Sequence, residues 1–367
     1  MTLPLASTIA ARFPLVPRKR PPAKPLDARV NRLAALAETA HREHDPETAS
    51  MVFNGAALVA SDCGDTQLAR TWCHQHANLY LSRTPLSGHT ARFALEPVIN
   101  LARLRIRDGD GGGAHRLLTD LHASIVSGRR AVIDDLEIHP QQLIADSDEL
   151  QQIIVWLRSI LLSDGTRALT LAGRWVDALT HVRHHDGIST TLLDGRQAAI
   201  VAHLIQGDKV EAAALLSRTK IEQPWERAVH DLLECWHATT IRDAATPDFA
   251  GIVDRSSATI RSRGLSVFRV RLSLTALDLA VGAPPHVADD LVKLLTADVI
   301  RDEDAHAARD LLNHPAVGPE HHRPLSELIE LSGLGRESLP DTAQRSLSLA
   351  LALAGTVIDS ASKRARY

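Results

Sequence analysis

Cysteine is scarce: Cys63, Cys73 and Cys235 are the only three in 367 residues. An odd and widely spaced set excludes a disulfide framework and a CxxC metal site and fits a reducing compartment. Each thiol reads as a small buried apolar side chain. Aromatic residues are also few, 3% of the chain against a hydrophobic fraction of 44%. The apolar content is therefore mostly Ala and Leu, which favours closely packed helices over sheet. No stretch approaches the roughly 20 apolar residues that a helix needs to cross a bilayer, so a membrane-spanning helix is excluded. Neither sign of charge dominates, since 41 Lys and Arg stand against 44 Asp and Glu. With no overall positive field, nucleic acid and anionic membranes are disfavoured as partners.

What the chain does have is one short pattern four times over: Gly, then Asp or Arg, three variable residues, and Ala. The copies are Gly64-Asp65 to Ala69, Gly109-Asp110 to Ala114, Gly173-Arg174 to Ala178 and Gly207-Asp208 to Ala212. Each lies between two apolar stretches of helical period. Each therefore reads as the tight turn of an antiparallel helix pair, where Gly takes a backbone conformation that other residues resist and Ala lets the second helix pack closely. The prediction is an all-α chain built as a stack of helix pairs, one extended body rather than two average domains.

The third and fourth turns are 34 residues apart, the period of the tetratricopeptide repeat. Over about Asp45 to Lys220 the chain resembles that family, whose most recognisable turn pattern, Gly-x-x-x-x-Ala, stands here as Gly173-Arg174-Trp175-Val176-Asp177-Ala178. Three of the four copies lack the aromatic residue that usually follows the turn Gly, and Pro does not close each unit. The resemblance implies a superhelical stack of antiparallel helix pairs, a tetratricopeptide-like α-solenoid. The Ala and Arg richness and low Lys content also resemble the stand-alone helical-repeat proteins of actinobacteria and the repeat portions of some of their regulators. That likeness implies a cytoplasmic adaptor or sensor.

Four segments are expected. Residues 1–26 contain Pro4, Pro14, Pro17, Pro21, Pro22 and the basic Arg18-Lys19-Arg20, with no acidic residue before Asp27. Charge follows the weakly apolar part instead of preceding it, which argues against a secretory signal. The lack of acids would suit a transit peptide, but the preferred reading is a disordered arm. Residues 27–222 carry the repeats, interrupted between Ser127 and Ile144, where Val132, Ile133, Leu136 and Ile138 alternate with charges and predict a small β-hairpin or irregular insert near 128–140. Residues 223–361 read as diverged repeats continuous with the preceding stack. There Asp302 to Ala307 keeps the turn spacing, Gly282-Ala283-Pro284-Pro285 stops a helix, and a last helix from about Asp341 to Ser360 caps the stack. A basic tail, 362–367, follows.

Catalytic signatures are absent, and neither a cofactor nor a metal is expected. His181, His184 and His185 could bring two imidazoles to one ion but lack a third ligand, and read as a solvated helix end. Asp108 to Gly113 has neither the strand and Lys of a phosphate loop nor the closing carboxylate of a calcium loop, and reads as a helix connection. Trp156, Trp175, Trp225 and Trp236 read as core fillers.

The more useful signal is polar. At the positions that the resemblance places on or beside the concave face stand Asn54, Asp62, Glu96, Asn100, Arg103, Asp164, Arg167, Asp194 and Gln197. Charges among Leu, Ala and Ile need water or partners. They either contact a ligand in a groove or pair with one another as Asp and Arg ladders. The first reading makes the chain a non-catalytic adaptor or sensor that binds a peptide or partner protein in its groove; a homo-oligomer is compatible with it. The alternative is an enzyme, or an accessory subunit of a natural-product or peptide-modifying enzyme, with Asp164, Arg167, Asp194 and Arg196 around an inter-helix pocket.

Overall fold

The computed structural model describes residues 5–240, 264–280 and 285–364, and these are all-α except for one two-stranded hairpin. In chain order the helices begin with α1 (Leu5–Ala10), α2 (Leu26–Glu43), α3 (Pro46–Asp62), α4 (Thr66–Leu81), α5 (Gly88–Arg107) and α6 (Gly111–Ser127). The hairpin, β1 (Ala131–Ile133) and β2 (Leu136–Ile138), precedes α7 (Pro140–Leu143) and α8 (Ser147–Ile160). A π-helical turn, Leu161–Gly165, leads into α9 (Thr166–Leu171), α10 (Trp175–His184), α11 (Asp194–Gln206), α12 (Lys209–Ser217) and α13 (Pro224–Thr239). The remainder are α14 (Ser266–Leu279), α15 (Pro285–Asp302), α16 (Ala305–Leu312), α17 (Pro319–Ser332) and α18 (Asp341–Arg364).

The repeated turn has a common construction. Gly64, Gly109, Gly173 and Gly207 take φ of 88°, 81°, 70° and 76°. In each, the amide of the next residue donates to the carbonyl five residues back, as Asp65 does to Ala60 and Asp208 to His203, which satisfies the helix end left open. The Asp then caps the following helix: Asp65, Asp110 and Asp208 accept from the amides of Leu68, Gly113 and Glu211 at 3.2, 2.7 and 3.2 Å. The Ala four residues further on is fully buried in all four copies. Two more turns have the same hydrogen bonds without the Gly, at His44-Asp45 and Glu303-Asp304, with φ of 56° and 52°. Asp45 and Asp304 cap α3 and α16, and Ala49 and Ala308 are the buried Ala residues. The late copy expected at Asp302 to Ala307 therefore lies one residue further on.

The chain divides into two compact units, residues 25–168 with 333–367 and residues 1–24 with 169–332. The expectation is one continuous body whose segments meet at 26/27 and 222/223, whereas each unit here is assembled from two stretches of the chain. In the first unit α18 packs on α2 and α3 and touches α4. It buries Leu347, Ala350, Leu351, Ala354, Val357 and Ile358, one stripe of helical spacing, while Leu349 on the other side is exposed. α2 presents the matching stripe Leu26, Val30, Leu33, Ala37 and Ala40. The last helix thus covers the first helix pair of its unit. The insert expected near 128–140 is the antiparallel hairpin, turned by Asp134 and Asp135, both at positive φ. Its Ile133, Leu136 and Ile138 are buried.

In the second unit the N-terminal segment expected to be disordered is packed. α1 contacts α14, and Ile9, Ala10, Phe13, Leu15 and Ala23 are buried. Helix α11 is buried on every side from Asp194 to Leu204, so its polar residues must find partners inside the unit. The Gly282 to Pro284 helix stop and the end of the basic tail lie outside the described residues.

Candidate binding site

Six of the nine polar residues assigned to a groove make two internal networks in the first unit. Asn54 on α3 donates to Glu96 on α5 at 2.9 Å. Asn100 donates to Asn54 at 3.1 Å, Arg103 to Asn100 at 3.0 Å, and Arg103 also to Asp164 at 2.9 Å. The side chains are five members of one hydrogen-bonded chain linking α3, α5 and the π-helical turn. The sixth, Asp62, accepts from Arg29 at 2.5 Å and Arg107 at 2.7 Å, and its side chain is 1% exposed. Such a carboxylate is tolerated because two guanidinium groups replace its water. Pairing as a ladder accounts for all six without a ligand. Arg167, on α9, is half-buried and also engaged.

The same unit anchors its hairpin electrostatically. Asp134 accepts from Arg70, Arg105 and His74 at 2.9, 2.7 and 3.1 Å. Burial raises its pKa, but hydrogen bonds from Arg105, His74 and Arg70 outweigh that, so its carboxyl is held below the usual range.

Asp194 and Gln197, the remaining two, lie on α11 of the second unit, and their partners are different. Gln197 is fully buried and brackets one residue of the N-terminal segment. The Leu15 amide donates to Gln197 Oε1 at 2.7 Å, and Gln197 Nε2 donates back to the Leu15 carbonyl at 2.9 Å. Asp194 accepts from Arg18 at 2.5 Å. Phe13 packs its ring 6.0 Å from that of the buried Trp236, and Arg12 pairs with Asp278 at 2.5 Å. Although burial raises the Asp278 pKa, hydrogen bonds from His314 and Arg12 lower it below the ordinary value. Farther along, Ala23 is bracketed in turn: its amide donates to the Asp304 carboxylate at 3.3 Å, and its carbonyl accepts from the Ala305 amide at 3.2 Å. Pro14, Pro17, Pro21, Pro22 and Pro25 push the residues before them towards extended backbone. Residues 13–24 form neither helix nor strand, and they are gripped by their backbone at two points and by their side chains between them.

The sequence missed these contacts because the partners lie 176 to 281 residues apart. The only local signal was the alternation of apolar Phe13 and Leu15 between two arginines.

Other sequence candidates resolve simply. Arg196, two residues from Asp194, turns to Thr219 at 2.7 Å and to the carbonyls of Ser189 and Leu215, holding loops in place. Burial first, and Arg218 second, lower its pKa. Asp110 in the acidic glycine-rich stretch is a helix cap. Burial raises the pKa values of Cys63, Cys73 and Cys235 to about 11, 12 and 11, so all three remain thiols at neutral pH. His181 and His184 stack edge-on against His185. The described residues include one group with metal-ligand spacing, His230, Asp231 and Glu234 on α13, which the sequence reading did not single out. A shallow depression of about 550 Å³ beside Asp341, Gln344 and Arg345 of α18 involves none of the groove residues. No helix among the described residues is long and apolar enough to cross a membrane.

No family model matches the chain, and neither a curated protein nor a solved structure matches it.

Proposed function

We propose that this chain is a tetratricopeptide-like helical-repeat adaptor or sensor that binds a peptide or an extended segment of a partner protein. The six turns of common construction support the helical-repeat reading. One observation carries the function: in the second unit Gln197 brackets the amide and carbonyl of Leu15. A side-chain amide that meets both backbone groups of one residue recognises extended chain as such, whatever its sequence. Arg18 on Asp194 and Phe13 beside Trp236 then add side-chain selectivity. The catalytic alternative gains no comparable support, since Asp194 and Arg196 are committed to the arm and to loop carbonyls and the cysteines are protonated.

Affinity capture from the native cell extract tests this. A protein retained by the full chain should be lost from Gln197→Met, which keeps the side-chain volume but removes both bracketing bonds, while the circular dichroism spectrum stays helical. An unchanged set of captured proteins contradicts the assignment.

A further inference from the structure

The segment that fills the bed in the second unit belongs to the chain itself, and its attachment is of a replaceable kind. It lies on the surface, with Ala11, Arg18, Lys19, Pro21 and Lys24 exposed and only Phe13, Leu15 and Ala23 buried along residues 11–24. The contacts that hold it are hydrogen bonds to its backbone, ion pairs at Arg12, Arg18, Arg20 and Lys24, and the burial of Phe13, Leu15 and Ala23. Those contacts do not require this stretch of polypeptide; another extended chain can make them. When the arm leaves, Gln197 keeps its bond to the Leu192 carbonyl but loses both bonds to Leu15, and Asp194 loses Arg18. A bed of this composition favours exchange of one extended segment for another over standing empty.

We propose that residues 12–24 act as a built-in competitor, and that the partner ligand is a segment of the same chemistry. That chemistry is a proline-flanked extended stretch with an apolar residue for the Leu15 position and Arg three residues later to meet Asp194. Binding of the partner then releases the arm and frees Arg18 and Arg20 from Asp194 and Asp304. The proposal rests on the peptide-binding reading of the second unit, and the test separates the two.

The probe is a synthetic, fluorescein-labelled peptide with the sequence of Ala11 to Pro22, titrated with the full chain and read by fluorescence anisotropy. Arg18→Glu sets two carboxylates against each other and loosens the resident arm while leaving the bed intact. It should bind the probe at least tenfold more tightly than the wild type. Combining Arg18→Glu with Asp194→Arg restores the arm's ion pair with reversed sign and sets Arg against the probe's own Arg, so binding should fall below that of the wild type. Probe binding that is equally tight in the wild type and Arg18→Glu overturns the competitor proposal and leaves the peptide-binding reading standing. No binding by either overturns both.

Hydrogen exchange on the unsubstituted chain gives a second route that does not depend on a variant folding. Excess unlabelled probe should speed exchange at the Leu15 amide at least tenfold, and unchanged protection there with the probe bound overturns displacement.

Discussion

In the first unit the polar residues at the expected groove positions bond to one another, whereas in the second they bond to the first 24 residues of the same chain. The residue types are similar in the two cases, acids, amides and arginines among Ala and Leu. What differs is whether the partner lies on a neighbouring helix or on the segment that precedes α2. Asn54, Glu96, Asn100, Arg103 and Asp164 share their bonds among helices that are already packed, so the network is part of the frame. Asp194 and Gln197 bond instead to Arg18 and Leu15, with Gln197 also on the Leu192 carbonyl, and on the proposed reading this is where a ligand would bind.

The largest expected effect is at Asp62. Asp62→Ala leaves Arg29, only 11% exposed, without its carboxylate and should cost roughly 3–5 kcal/mol in urea unfolding, although Arg107 regains water. Asp194→Ala should cost about 1 kcal/mol or less, because Arg18 is 38% exposed and regains water when its partner is removed. Equal losses for the two would erase the distinction between a frame and a binding surface.

His76 sharpens the comparison by pH. It is buried in the first unit, stacked 5.0 Å from Phe53, and neither ring nitrogen has a hydrogen-bond partner. Burial pulls its pKa from 6.5 down to about 3. Above the unfolded value both states are neutral and stability is at its full level. As pH falls from 6.5 towards 3 the unfolded chain takes up a proton that the folded one refuses, so stability declines. Between pH 6.5 and 5 the loss should be about 2 kcal/mol. His76→Phe should abolish that dependence in denaturation at the two pH values and add roughly 1–3 kcal/mol at neutral pH. An unchanged pH slope would remove His76 as the source.

The smallest effect concerns the turns, which both units share. His44→Gly and Glu303→Gly should each stabilise by about 1 kcal/mol, since φ is positive at both positions and only Gly adopts it without strain. Thermal melts check this, and a loss at either position would break the equivalence of the six turns.

The repeating part of the fold was legible because a positive-φ Gly followed by a capping Asp and a buried Ala leaves a local trace. The turns at His44 and Glu303 have the same hydrogen bonds, but without Gly the first of the three marks is missing. The insert was legible from its alternation. The placement of α18 was not, because its Leu and Ala stripe fits any apolar neighbour and nothing local names α2 and α3. For the candidate site, the residue types at positions 54 to 197 could be read, and their partners could not. Arg103 and Asp164 are 61 residues apart, and Leu15 and Gln197 are 182 apart. The prolines and missing acids of residues 1–26 resemble a disordered arm because the acids that hold the arm, Asp194, Asp278 and Asp304, all lie far along the chain.

The most direct measurement follows side-chain amide resonances of isotope-labelled Arg18→Glu chain during titration with the unlabelled Ala11 to Pro22 peptide. The Gln197 amide should shift and saturate with the peptide while those of Asn54 and Asn100 stay in place. Movement of Asn54 and Asn100 with Gln197 unaffected would contradict the account, because the frame would then be the binding surface and the bed under the arm would be mere packing.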